Sequence, residues 1–476
     1  MSHDLRFRRT KIVATLGPSS SDEETVRNMV EAGVNVVRIN SAHGTAEERA
    51  RLIAVVRRVR DKLRKHVAVL VDLQGPRVRI GVLAEPRRLD SGMELVLAPE
   101  RSASGEEIPT AYEALAGDVE VGSRILLDDG LLSMEVTSIV GDRVTGIVRD
   151  GGILRSNKGI NLPDDQVSVP VVTDKDRADI GLALENQADM VGISFVSRAE
   201  DIEEVRSLVG ERARLVAKIE RAAALDDIER IVEAADAIMV ARGDLGVELP
   251  FEEVPLTQKH LIDVAMRYGR PVITATQMLE SMVNHTRPTR AEASDVANAI
   301  LDGTDAVMLS AETAMGKYPI GAVRAMVSII NEIEQAILKD GIPWGCLRGV
   351  AESKRSCEVE AAIASAAIAA AEMLEVPLIL CVTKSGFTAR TIASNRPSIP
   401  VLGLSTDRRT CRYLALVWGV TPMQADVVPN YETMLDVARG ALLDHECAKS
   451  GDRIIVTAGV PFEVPGTTNL IKVETV

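Results

Sequence analysis

Aromatic side chains are scarce in this chain: five Phe, five Tyr and two Trp, 3% of 476 residues. So few rings leave no stacking platform of the kind that holds single-stranded nucleic acid. Positive charge is also in deficit, because 55 Lys and Arg against 69 Asp and Glu leave a net charge of −14. A surface of that sign repels phosphate backbones and anionic lipid, so neither nucleic acid nor a membrane is an expected partner. The few cysteines, Cys346, Cys357, Cys381, Cys411 and Cys447, are odd in number and never form C-x-x-C. They read as reduced core thiols, which argues for a cytosolic, cytoplasmic address and against structural zinc. Long apolar runs are missing too. The opening MSHDLRFRRTKIVATLG has no signal-peptide stretch, and AAIASAAIAAA at 361–371 is shorter than the roughly 20 residues that span a bilayer.

What is present is an ordinary globular mixture, 46% hydrophobic and 26% charged, in a chain long enough for about three domains at roughly 150 residues each. Eight short β-branched runs are followed by helix-like segments: KIVATL (11–16), VNVVRIN (34–40), VAVLVD (67–72), DMVGISF (189–195), RLVAKIE (214–220), AIMVARGD (237–244), PVITAT (271–276) and DAVMLSAE (305–312). They are nearly continuous apolar runs, as strands buried on both faces require. Ser21 to Asp22 and Thr289 are placed to cap intervening helices, and Gly33 to stop one. Eight such units predict a closed parallel (β/α)8 TIM barrel over residues 1–75 and 171–342.

More than a hundred residues separate the third run from the fourth. Residues 76–170 are rich in short strands with Asp-Gly and Gly-Asp turns, as in SRILLDDGLLSMEVTSIV, and predict an inserted small β-barrel domain. Its position at the carboxyl rim of the barrel suits a lid. Residues 343–476 alternate again, with an Ala-rich helix (358–375), strands PLILCV, PVLGLS and RIIVTA, and helices from Gly386, near 407–417 and near 430–450. That order predicts a C-terminal doubly wound α/β domain.

Chemistry in a parallel barrel gathers where the strands end. Here the ends carry Arg38 and Asn40, Asp72, Lys218 and Glu220, Arg242 with Gly243 and Asp244, Thr276, and Ser310 with Glu312. Any one of these could be a helix cap or a satisfied rim residue, but capping alone does not explain so many. Lys218 and Glu220, two apart on one strand, share a face. Glu220 and Asp244 supply the two carboxylates by which Mg²⁺ is commonly held, its other positions going to water and substrate oxygen. Arg38 offers a planar fork for phosphate or carboxylate. The set asks for a small anionic substrate, a divalent ion and negative charge developing on oxygen. His43 reads as structural, and Met278 and Met282 as core.

VVRINSAHG (36–44), DLQGPRVRIG (72–81), SNKGINLP (156–163), AKIER (217–221), MVARGDLGVE (239–248), ITATQMLESM (273–282), RPTRAEASDVANAILDGTDAVMLSAETAMGKYP (287–319) and PGTTNLIKV (465–473) together resemble the pyruvate kinase family. The resemblance implies phosphoryl transfer between phosphoenolpyruvate and ADP, giving pyruvate and ATP, with Mg²⁺ or in its place Mn²⁺, in a homotetramer. Position by position it makes Lys218 the lysine that stabilises the transferring group and the enolate, with Arg38 and Thr276 as its catalytic companions. Glu220 and Asp244 match metal ligands, and Arg38, Gly243, Asp244 and Thr276 match substrate contacts. Arg79 and Lys158 match residues facing the nucleotide phosphates. Thr276 is assigned to orienting a water or proton relay, with Ser310 and Glu312 beside it.

One departure matters. Family members that hold K⁺ near the substrate use an Asn, a Ser and an Asp, followed by a Glu in D-x-K-G-P-E. This chain keeps Asn40 and Asp72 but has Ala42 and Arg77 at the other two positions. A guanidinium there reverses the local sign, so K⁺ is not expected to be required. The segment TKSGFTAR (383–390) resembles the family's effector-phosphate loop, implying a phosphorylated metabolite effector held by Thr383, Lys384, Ser385, Gly386 and Thr388. A metal-dependent aldolase or lyase of the phosphoenolpyruvate/pyruvate barrel group stays open beside the kinase, as does a metabolite sensor with a decayed site; neither needs ADP.

Overall fold

The computed structural model describes residues 7–76, 78–163, 168–340, 359–426, 431–459 and 468–476; Arg77 and the cysteines Cys346 and Cys357 lie outside them. All eight expected runs form parallel strands: Lys11–Thr15, Val36–Asn40, Ala68–Asp72, Met190–Ile193, Arg214–Ile219, Ala237–Ala241, Val272–Ala275 and Ala306–Leu309. They pair in sequence, and the eighth returns to the first to close the barrel. Helix ends follow the predicted chemistry. Asp22 accepts the Thr25 N–H, Gly33 at φ 130° terminates that helix, and Thr289 caps Arg290–Asp302 reciprocally with Glu292.

Because side chains alternate along a strand, one parity points into the barrel and the other toward the helices. Val13, Val36, Leu70, Met190, Val216, Met239, Ile273 and Met308 pack inside. Ile12, Ile39, Val69, Val71, Val191, Leu215 and Val307 join the larger core beneath the helices, where Met278 and Met282 are also buried. The inward parity continued to the carboxyl ends carries Thr15, Arg38, Asp72 and Lys218. The fold therefore delivers the polar strand ends to one place.

Beyond the third strand, six strands order as Ile160–Asn161, Arg124–Leu127, Leu132–Val140, Arg143–Asp150, Glu94–Pro99 and Ile108–Thr110. Residues 79 and 80 touch both edges of this sheet, Arg79 bridging Gly159 and Ile80 bridging Thr110. The C-terminal domain contains the three expected strands, Ile379–Val382, Val401–Ser405 and Arg453–Ala458, and two more at its edges, Val420–Gln424 and Leu470–Thr475. Pro422 disguises the first of these, since proline belongs only on edge strands; the second runs antiparallel to Arg453–Ala458.

The amino end of the barrel is built by a repeated device. A side chain just before each even-numbered strand accepts a backbone N–H from the strand before it: Asn35 from Ile12 at 3.0 Å, Asp189 from Val69 at 2.8 Å, Asp236 from Leu215 at 2.8 Å and Asp305 from Val272 at 3.1 Å. The C-terminal domain grips the same residues. Arg396 makes two bonds to Asp305, Arg412 pairs with Asp189, and the Tyr413 hydroxyl donates to the Asp236 carbonyl at 2.7 Å. Tyr413 and Leu416 complete the barrel's inner apolar cluster.

Candidate active site

At the opposite, carboxyl end the inward residues form one connected ion cluster. Arg38 donates to Asp72 Oδ2 through Nε at 2.7 Å, its Nη2 lies 2.6 Å from the same oxygen, and its Nη1 donates to Thr15 Oγ1 at 3.1 Å. Lys218 Nζ sits 3.2 Å from Asp72 Oδ1 and 2.8 Å from Glu220 Oε1, and donates to Ser194 Oγ at 2.6 Å. Ser194 in turn donates to the Leu73 carbonyl at 2.8 Å. Gly192 on the fourth strand makes room for this: a Cβ there would come within 3.0 Å of Asp72 Oδ1.

Burial opposes every charge in the cluster, and the balance differs by residue. At Asp72 the Lys218 and Arg38 charges outweigh burial and hold the carboxyl below its ordinary value. At Lys218 the Asp72 and Glu220 charges outweigh it and hold the ammonium above its own. At Glu220 burial wins, with the Asp244 charge adding to it, and the carboxyl is pushed up to about 7 against the pull of Lys218. Glu220 Oε2 also accepts the Phe195 N–H at 2.7 Å, from a residue held at φ 57°. Strain of this kind persists where the surroundings impose it, and active sites are where it gathers.

These residues line a cavity of about 360 Å³, with Arg38, Lys218, Glu220 and Asp244 on the barrel side and Arg79 and Asp129 from the inserted domain opposite. Models of two families match the chain, "Pyruvate kinase, barrel domain" over residues 7–323 and "Pyruvate kinase, alpha/beta domain" over residues 361–474. The chain belongs to the pyruvate kinase family. Among curated relatives it is 44% identical to a pyruvate kinase of Geobacillus stearothermophilus, over 98% of this chain and 80% of the relative. It is 40% identical to one of Clostridium acetobutylicum, over 99% of this chain and all of the relative.

Within this family member the remaining expected residues fall into three groups. Gly243 and Thr276 meet each other: the Gly243 N–H donates to Thr276 Oγ1 at 2.9 Å, and that hydroxyl donates to the Ala275 carbonyl at 2.7 Å. Thr276 and Gln277 both have left-handed backbones, φ 65° and 54°. Arg242 clamps this turn, bonding the Ala275 and Thr276 carbonyls at 3.2 and 2.7 Å while paired with Asp295 at 2.7 Å. Glu312 is fully buried and accepts the Leu279 and Ser310 N–H groups, so both its oxygens hold backbone.

In the inserted domain Lys158 pairs with Asp128 at 2.6 Å; at the end of the second barrel strand Asn40 accepts the Ala42 N–H at 3.0 Å. Arg77 lies outside the described residues. In the C-terminal loop Thr383 accepts the Gly386 N–H at 3.0 Å, and Thr388 bonds Thr468 at 2.8 Å, bringing the loop beside the PGTTNL segment, of which 465–467 are not described. Lys384 and Ser385 lie between them and offer backbone carbonyls to Thr410 and Arg214.

Sequence reasoning missed Ser194, Thr15 and the clamping role of Arg242. Ser194 had a signal, since it is the polar residue next to the end of the run DMVGISF. Thr15 had the same one in KIVATL. Among the described residues no three His, Cys, Asp or Glu side chains cluster as a closed metal site. The donor set instead fits a hard divalent cation with an open shell. Two carboxylates face one cavity, and Glu220, raised first by its burial and further by the Asp244 charge, is a group whose charged form a cation between them would stabilise.

Proposed function

We propose that this enzyme transfers the phosphoryl group of phosphoenolpyruvate to ADP with Mg²⁺ and without K⁺, under control of a phosphorylated metabolite. The observation that carries the reading is Lys218 Nζ, fixed between Asp72, Glu220 and Ser194 at the mouth of a closed barrel and under an inserted domain.

Phosphoryl transfer needs positioning and charge neutralisation more than covalent catalysis. Asp72 and Thr15 hold the Arg38 guanidinium in one orientation, ready for an anionic oxygen of the substrate. Lys218 supplies a preorganised positive charge where the bridging oxygen becomes an enolate oxygen as its bond to phosphorus breaks. Glu220 and Asp244 would hold Mg²⁺ or Mn²⁺, which would supply positive charge against the negative charge that develops on oxygen. Gly243 presents the start of helix Arg242–Glu248 beside Thr276, and Arg242 keeps that turn in place. Thr276 orients the water or relay that protonates the enolate carbon; Glu312, tied to backbone, supports the turns.

The domain of residues 76–170 acts as the lid over the barrel of residues 1–75 and 171–342. Arg79 and Lys158 face the nucleotide phosphates, and closure keeps water from taking the phosphoryl group. Asp72 is already occupied by Arg38 and Lys218, and with Ala42 in place of a serine ligand and Arg77 in place of the following glutamate the K⁺ region of Asn40, Asp72 and Arg77 carries its own positive charge. The domain of residues 343–476 holds the effector at Thr383, Lys384, Ser385, Gly386 and Thr388. A homotetramer in the cytoplasm completes the reading; among the described residues no helix is long and apolar enough to cross a membrane.

Incubating phosphoenolpyruvate with and without ADP tests this. ADP-dependent pyruvate and ATP are expected. ADP-independent turnover would favour the lyase reading, and no turnover a sensor.

A further inference from the structure

A second cavity, of about 630 Å³, opens on the far side of the barrel from the catalytic cluster, between the end of helix Ala46–Leu63 and the C-terminal domain. Its charge is anomalous for a chain of net −14. Arg60, Arg64, Lys65 and His66 line one wall and Arg408 and Arg412 the other, with Asp61 as the one carboxylate among the lining residues. Asp189 engages Arg60 and Arg412. Among the described residues Arg64, Lys65 and Arg408 pair with no carboxylate, and Arg64 and Arg408 are exposed.

Basic residues in the last turn of a helix have an ordinary explanation, the helix dipole, and it accounts for Arg60. It does not account for the opposite wall. Arg408 is the first residue of helix Arg408–Leu414, where a cation opposes the dipole and costs stability. His66 reports the resulting field: burial first, then the charges of Arg412, Arg60 and Arg408, hold its imidazole near 4. Beyond these charges Leu402, Pro422, Met423 and Ala441 give the cavity an apolar part, and Thr421, Gln424, His445 and Cys447 complete its lining. Its volume is that of a small-molecule site rather than of a lone ion.

We infer that this cleft binds an organic phosphate monoester, its phosphate held by Arg64, Arg408 and Arg412 and its body against Pro422 and Met423. No residue of the proposed effector loop at 383–388 lines this cleft, although Lys384 of that loop accepts from Thr410 on the helix that carries Arg408 and Arg412. The cleft also has a path to the catalytic end. Asp189, held by Arg60 and Arg412, opens the strand Met190–Ile193, and that strand leads directly to Ser194, the partner of Lys218.

Cys447 lines the cleft and is partly exposed, whereas Cys381 and Cys411 are buried, so it can report occupancy. In the full chain carrying Cys346→Ser and Cys357→Ser, the rate of maleimide reaction at Cys447 is followed against millimolar inorganic phosphate, glycerol 3-phosphate, and chloride at matched ionic strength. Both phosphates should slow labelling severalfold and chloride should not. Glycerol 3-phosphate should act at the lower concentration. Arg408→Glu, at an exposed position, should abolish the protection, and Ser385→Asp should leave it intact. Equal slowing by chloride, no slowing by either phosphate, or full protection in Arg408→Glu would overturn the site. Inorganic phosphate protecting as well as the ester would overturn the organic part of the assignment. Loss of protection in Ser385→Asp would overturn its separateness from the loop.

Discussion

Replacing Lys218 by Met keeps the length and flexibility of the side chain and removes one buried charge. That ammonium lies 2.8 Å from Glu220 and 3.2 Å from Asp72. A preorganised group aimed at developing negative charge is worth roughly 3–4 kcal/mol of transition-state stabilisation, which is about two to three decades of turnover. The stability cost is a separate quantity. Stranding one member of a buried ion pair costs on the order of 3–5 kcal/mol when the remaining charge stays ionised. Neither carboxylate is stranded so completely here. Asp72 keeps Arg38 at 2.7 Å, and Glu220, already raised to about 7, can take a proton. The variant should therefore fold, with a lowered thermal midpoint, while kcat for ADP-dependent pyruvate formation falls by a factor of roughly 10² to 10³. Michaelis constants separate the roles. A transition-state contact lowers kcat and kcat/KM together, whereas uniform binding raises KM alone. Turnover within a few-fold of the parent, in a variant with a native unfolding curve, would refute the assignment.

Four further outcomes follow from particular residues. In tetramethylammonium buffer with Mg²⁺, adding K⁺ should leave activity nearly unchanged and Arg77→Glu should make it K⁺-dependent; strong activation of the parent enzyme by K⁺ would refute the reading. Among sugar phosphates and nucleoside monophosphates at least one should shift the phosphoenolpyruvate saturation curve, and Ser385→Asp should remove that shift; a shift that survives the substitution would place the effector elsewhere. His66 is held near 4 against an ordinary 6.5, so the folded state resists its protonation. Stability is intact above pH 6.5, falls as the pH drops toward 4, and the loss levels off below that at no more than about 3 kcal/mol. Urea unfolding of His66→Gln should show a shallower acid-side loss, and an unchanged slope would contradict the assignment. Asp305→Ala should cost about 3–5 kcal/mol by leaving Arg396 buried without its carboxylate, read as a drop in thermal midpoint; a change under about 1 kcal/mol would mean the clamp contributes little.

The eight barrel strands, the inserted domain and the polar strand ends were legible because each is written locally. A strand buried on both faces must be an apolar run, and a residue that ends such a run must lie at the carboxyl rim. The spacing of Lys218 and Glu220 placed both on one face before any fold was known. Tertiary structure decided what those residues touch. Ser194 and Lys218 are neighbours only because the fourth and fifth strands pair in one particular register. The bracing of Arg38 by Thr15 and Asp72 needs the first three strands side by side. The floor residues Asn35, Asp189, Asp236 and Asp305 look like ordinary polar turn residues in the chain, and their repetition becomes visible once closure sets each against the preceding strand. Edge strand Val420–Gln424 was hidden by Pro422, whose missing N–H is harmless only at an edge. The basic cleft joins residues near 60 to residues near 410, hundreds of positions apart. No periodicity encodes that meeting; the C-terminal domain brings it about by docking on the barrel floor through Arg396, Arg412 and Tyr413.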